Sequence, residues 1–295
     1  MEKNNLKFAF FGTPDVASKT LEILKNHGFL PTVVVTAEDK PLGRKQIITP
    51  PPVKTWCIEN GVKYLQPENG GKRLDLFEFL RSNLKEPFDL SIVVAYGKIL
   101  PQELISLPRL GTINIHYSLL PKYRGASPVQ SALLAGDTMT GVSIQQMVHK
   151  LDAGPIVVFE ELKIKEHEKT PELLERLIKI GGELLVNTLP NLMESKIQKK
   201  EQDESQATLC KKINKEDGLV NLEKDSSKDI YNKFRAFYDW PGIYFMRDKK
   251  RIKITEATFE NDPFDSTRGK KFQILKVIPE GKKEMSYSVW FNTLK

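Results

Sequence analysis

The strongest constraint on this chain is a series of short apolar runs separated by segments of helical periodicity. Phe8 to Phe11 is followed by Val16, Ala17, Leu21 and Leu24 at helical spacing, with Gly28 as a stop. Further runs lie at 31–36, 90–96, 112–117, 141–147 and 156–162, the first of them β-branched. Helices are predicted over about 52–60, 73–84, 127–135 and 171–193. Continuous apolar strands alternating with helices predict an α/β fold with a mainly parallel sheet covered on both faces.

After Met193 the pattern changes. Residues 194–206 are almost wholly polar, which predicts a linker. Beyond them come short strands near 243–247, 251–258, 271–279 and 287–291, preceded by a helix over about 227–237. A small β-barrel is the natural closure for so few strands. The domain division expected is therefore 1–193, a linker at 194–206, and 207–295. Of a net charge of +7, residues 241–295 hold 12 Lys and Arg against 7 Asp and Glu. Such a region suits a polyanion such as RNA, and equally a solvated lysine-rich surface.

Several function classes fall away. The only cysteines, Cys57 and Cys210, form no CxxC pair, which argues against zinc ribbons, iron–sulfur clusters and a disulfide framework. No apolar run reaches the length of a membrane span, and the first is too short for a signal sequence, so a cytoplasmic protein is expected. The turn after the first strand, Gly12-Thr-Pro-Asp, is not a dinucleotide fingerprint, and there is no phosphate-binding GxxxxGK[ST] loop. His27, His116, His149 and His167 sit in no metal-ligand spacing, so no metal is expected.

Two segments carry chemistry. Residues 38–54 contain four prolines and a glycine, which predicts an irregular loop bearing Lys40, Arg44 and Lys45, with Ile47 and Ile48 exposed. The second is Asn114-Ile-His116. Two residues apart on a strand, both side chains share a face near its C-terminal end, where ligands bind in open α/β sheets. They are either satisfied by backbone hydrogen bonds or serve as an oxyanion donor and a proton carrier. Asp152, in the loop before Ala-Gly-Pro, is either a turn residue or a carboxylate that pairs with His116. Ser118 lies in no GxSxG elbow, so direct attack by a substrate amine fits better than a covalent enzyme intermediate.

Asn114-x-His116-x-Ser118-Leu119-Leu120-Pro121, Tyr123-Arg124-Gly125, Gly141-Val-Ser-Ile144 and Asp152-x-Gly154 together resemble the formyltransferases that use 10-formyltetrahydrofolate. Phe11-Gly-Thr-Pro-Asp15, Lys40-Pro-Leu-Gly-Arg44, Val93-Val-Ala-Tyr-Gly97 and Trp240-Pro-Gly242 extend the resemblance along the chain. It implies a Rossmann-like formyltransferase domain followed by an OB-like barrel. It also implies catalysis by Asn114, His116 and Asp152 and donor binding by Ser118, Leu119, Leu120 and Pro121. The formyl acceptor implied is the amino group of methionine on initiator tRNA. Lys40, Arg44 and Lys45 are then expected to contact the acceptor stem, and the barrel the tRNA backbone. A monomer with no membrane or metal partner is expected. The sequence departs from the pattern at Tyr117, where many members have glycine, and at Pro155, where many have an acid.

The expected reaction is attack of the free methionyl amine on the formyl carbon. The oxyanion meets Asn114 and a protonated His116, and the folate N10 leaves after protonation by His116 or by a water held on Asp152. The competing readings are transfer to an amino-sugar nucleotide, hydrolysis of the formyl donor, and a tRNA-binding module with a decayed site.

Overall fold

The computed structural model describes residues 6–43, 45–67, 88–261 and 270–293. The helix expected over 73–84 lies outside the described residues. Among the described residues, seven strands form the main sheet, in the order Ile156–Lys163, Met139–Gln146, Thr112–His116, Leu90–Val94, Phe8–Gly12, Val33–Val35 and Tyr64–Leu65. Pairing is parallel from Tyr64–Leu65 as far as Thr112–His116, and antiparallel between Thr112–His116 and Met139–Gln146. The expected mainly parallel sheet is therefore present. Every residue of Phe8–Gly12, Val33–Val35 and Leu90–Val94 is buried, as strands covered on both faces must be.

Gly12 ends the first strand for a steric reason. A Cβ there would stand 2.6 Å from the Ala17 Cβ and 2.9 Å from the Val94 carbonyl oxygen. The helix Asp15–Asn26 thus starts hard against the sheet and buries Ala17, Thr20, Leu21 and Leu24.

The chain divides into two compact units. The first holds Met1–Arg124, Gly141–Glu161 and Arg176–Thr208; the second holds Gly125–Thr140, Leu162–Glu175 and Leu209–Lys295. Each unit is thus assembled from several stretches of the chain. Two excursions of the first 193 residues pack in the second unit, where the Thr170 hydroxyl donates to the Ala236 carbonyl at 2.7 Å.

In the second unit the strands Ile243–Arg247, Lys250–Asn261, Lys270–Pro279 and Met285–Ser286 form an antiparallel sheet in that order. A register shift between Ile254 and Ala257 bends the long second strand, consistent with a small barrel-like domain. The helix Ser227–Ala236 carries Tyr231, which stacks on Phe259 with ring centroids 5.0 Å apart.

Two expectations need correction. The strand expected at 287–291 is a helix, Tyr287–Asn292, because Ser286 caps it by accepting the Val289 amide and Trp290 is buried one turn in. The irregular loop at 38–54 contains a β-hairpin of Lys40–Leu42 and Ile47–Thr49. Proline is tolerated there because both strands of an isolated pair are edges. Within 194–206, Lys200 and Ile156 exchange both backbone hydrogen bonds, at 2.7 and 2.8 Å, and Glu204–Gln206 forms a 3-10 turn.

Candidate active site

Asn114 and His116 lie on the strand Thr112–His116, opposite Gln145 and Ser143 of the neighbouring antiparallel strand. The Asn114 amide is oriented by two contacts. Its Nδ2 donates to the Val93 carbonyl at 3.0 Å, and its Oδ1 accepts from Gln145 Nε2 at 3.4 Å. A carbonyl only accepts, so the Nδ2 end must face Val93, which leaves its second hydrogen for another acceptor.

His116 is buried. Its Nε2 lies 2.8 Å from the Tyr123 carbonyl oxygen, so the hydrogen of the neutral ring sits on Nε2 and Nδ1 carries the lone pair. Nδ1 is 3.7 Å from Asp152 Oδ2, beyond hydrogen-bond reach but within strong electrostatic range. Burial is the largest influence on His116 and pushes its pKa below the usual histidine range; the Asp152 carboxylate and the Tyr123 carbonyl act the other way. Burial thus favours the neutral form of the resting ring.

Asp152 sits in the turn after the strand Met139–Gln146, with φ +48, and its Oδ1 accepts from Gln145 Nε2 at 2.8 Å. Left-handed backbone outside glycine costs roughly 1–2 kcal/mol, and aspartate is one of the few residues that visit it routinely. Gly154 follows because a Cβ there would overlap the Gln146 carbonyl oxygen. The structure thus brings Asn114, His116 and Asp152 to one end of the sheet.

The Ser118–Pro121 segment follows directly. The Ser118 hydroxyl donates to the Lys122 carbonyl at 2.6 Å, so it shapes its own loop. Ser143 holds that loop from below, donating to the Ser118 carbonyl at 2.8 Å and accepting the Leu120 amide at 3.0 Å. Leu119 and Pro121 are half-buried, whereas Leu120 is buried. Lys40 and Lys45 are exposed on the hairpin with Leu42, Ile47 and Ile48, the three apolar side chains 62–66% exposed. Arg44 lies outside the described residues.

Sequence reasoning missed Ser143 and Gln145. Both are buried polar residues at alternate positions of a sheet strand, the signal that singled out Asn114 and His116. Among the described residues no group of three or more His, Cys, Asp and Glu side chains is placed to hold a metal ion, and no helix is long and apolar enough to cross a membrane.

Comparison with known proteins bears on this geometry. Residues 6–189 match the formyl transferase family model, and 212–271 match the model of the formyl transferase C-terminal domain. A methionyl-tRNA formyltransferase of Thermotoga maritima is 43% identical over 253 residues, covering 86% of this chain and 79% of that protein. One from Listeria innocua is 41% identical over 255 residues, covering 86% and 80%. Among solved structures, an N-formyltransferase from Helicobacter canadensis in complex with folinic acid and dTDP-3-aminofucose superposes with a TM-score of 0.66 at 17% identity, covering 87% of this chain and 89% of that one. WlaRD, a sugar 3N-formyltransferase with dTDP and 5-N-formyl-THF, gives a TM-score of 0.67 at 17% identity over 94% and 99%.

Proposed function

The chain belongs to the formyl transferase family, and we propose that Asn114, His116 and Asp152 carry its chemistry. The activity is transfer of the formyl group of 10-formyltetrahydrofolate to the α-amino group of methionine on initiator methionyl-tRNA. The relatives that act on methionyl-tRNA are 38–43% identical, whereas the sugar N-formyltransferase structures share 17–18%. That gap favours the tRNA acceptor over an amino-sugar nucleotide.

The observation that supports the residue roles is the pairing of an oriented amide with a neutral, buried imidazole beside a carboxylate. The free amine attacks the formyl carbon and forms the new C–N bond, while the carbonyl electron pair moves onto oxygen. The spare Asn114 Nδ2 hydrogen donates to that oxyanion, an interaction worth about 2.7–4 kcal/mol in comparable sites. The attacking nitrogen gives up a proton to His116 Nδ1, and the imidazolium is held by Asp152. The oxyanion then collapses, the bond from carbon to N10 breaks, and N10 takes the electron pair and the proton from His116. The products are formylmethionyl-tRNA and tetrahydrofolate. Ser118, Leu119, Leu120 and Pro121 form one wall for the folate. Lys40, Arg44 and Lys45 contact the acceptor stem, and residues 207–295 add tRNA contacts to a catalytic portion spanning 1–193. The enzyme works in the cytoplasm as a monomer, which sedimentation checks.

The direct test offers 10-formyltetrahydrofolate with methionine charged on initiator and on elongator tRNA. One formyl group should appear on initiator methionyl-tRNA for each tetrahydrofolate released. Tetrahydrofolate release without formylated tRNA would replace this function with hydrolysis.

A further inference from the structure

The polar segment 200–208 touches the site from two sides. Gln202 Nε2 donates to the carbonyl oxygens of Asp152 and Gly154 at 2.9 and 2.7 Å, and lies 3.5 Å from Gln145 Oε1. Its own Oε1 accepts from Arg124 Nε and Nη2 at 3.0 and 2.8 Å. The Arg124 guanidinium is buried and also donates to Glu204, whose second oxygen takes Lys150. Six residues past Gln202, Thr208 accepts the Tyr123 amide at 2.8 Å and the Arg124 amide reaches the Thr208 carbonyl at 2.9 Å. Tyr123 is the residue whose carbonyl orients His116.

One extended segment therefore fixes both halves of the proton-transfer pair. Gln202 holds the left-handed turn that aims Asp152, and Thr208 holds the carbonyl that sets the His116 tautomer. The glutamine amide is suited to this position because it must donate to two carbonyls on one side and accept from a guanidinium on the other. No charged side chain of that length does both. The geometry points to Gln202 as a positioning residue for the transfer, with Thr208 as its counterpart on the histidine side. The segment 200–208 then contributes to the active site's framework as well as following the catalytic portion in the chain. This inference rests on the assignment of His116 and Asp152 to the chemistry.

Gln202→Glu is the informative variant. It keeps the oxygen that Arg124 binds and replaces the donating amide by an oxygen facing the two carbonyls. A guanidinium partner remains, so folding should survive. Misplacing a reacting group by about 1 Å costs on the order of 100-fold. The variant should lose roughly 10- to 100-fold in kcat, with KM for both substrates within about twofold and Tm within a few degrees. Thr208→Val, which removes the acceptor for the Tyr123 amide, should show the same split. Gln202→Ala, which also loses the Arg124 contact, should lower both kcat and Tm. His116→Ala runs alongside. If His116→Ala is inactive and Gln202→Glu turns over within about twofold of wild type, the positioning role fails while the catalytic assignment stands. If His116→Ala itself keeps normal kcat, the catalytic assignment fails. A Gln202→Glu defect confined to KM or to Tm would also overturn the inference, since it would mark a binding or purely structural contact.

Discussion

At the scale of single residues, His116 is a buried titratable group of the candidate site, and burial favours its neutral form. Because its folded pKa is lowered, the native protein binds fewer protons than the unfolded chain below the ordinary histidine pKa of about 6.5. His116 thus weakens folding progressively as pH falls below that value and has no such effect above it. With His116 as the proton acceptor proposed above, the acid limb of the kcat profile should fall below the usual histidine range. Asp152→Asn removes the carboxylate that raises the pKa, so the titration of His116 should move further down and the acid limb with it. Turnover should fall by roughly 100- to 10,000-fold, the scale of a lost acid–base contribution. NMR titration of His116 in both proteins provides the check; an unchanged or higher pKa would reduce Asp152 to a turn residue. Asn114 and His116 were legible because polar side chains stand out inside an apolar strand. Gln145 and Ser143 sent the same signal in a run that reads as apolar. Gln202 sent none, since a glutamine among polar neighbours looks like solvent-exposed linker until its partners are known.

At the scale of elements, local sequence identified the described strands of the main sheet other than Tyr64–Leu65, because burial leaves a continuous apolar record. It failed where capping decided the outcome. Tyr-Ser-Val-Trp-Phe has strand-forming residues, yet Ser286 starts a helix there. The helix Ser227–Ala236 depends on the same device: Ser226 accepts the Asp229 amide at 3.1 Å and donates to the Asp229 carboxylate at 2.7 Å. Ser226→Ala should cost about 1 kcal/mol, visible as a drop of about 2–4 °C in Tm with kcat unchanged. The hairpin behaves in the opposite way. Ile48 is 65% exposed, so Ile48→Ser removes little buried area and should leave stability within about 0.5 kcal/mol. The same change should raise KM for the tRNA if the hairpin meets the acceptor stem; an unaltered KM on both tRNAs would make it a surface ornament of the fold.

At the scale of the whole molecule, the charge is unevenly placed, and the structure decides which of it is available. The region 241–295 is the basic one, but Lys270 is already paired with Glu166, and Lys276 with Glu256 at 2.6 Å. Lys282 and Lys283 are exposed in the turn after Pro279, where no strand pairing constrains them. Phosphate contacts release counterions, so each one lost lowers the steepness of log K against log salt by about 0.9 for duplex nucleic acid. Lys282→Glu with Lys283→Glu should therefore weaken initiator and elongator tRNA to the same extent and flatten the salt dependence, because backbone phosphates carry no sequence information. Lys45→Ala, on the hairpin, should instead reduce the preference for initiator over elongator while leaving folate affinity alone. Filter-binding titrations of the two tRNAs between about 50 and 200 mM salt separate these outcomes. Equal behaviour of the two variants would mean that the molecule does not divide recognition between hairpin and C-terminal sheet, and a salt slope unmoved by Lys282 and Lys283 would place the polyanion elsewhere on the surface.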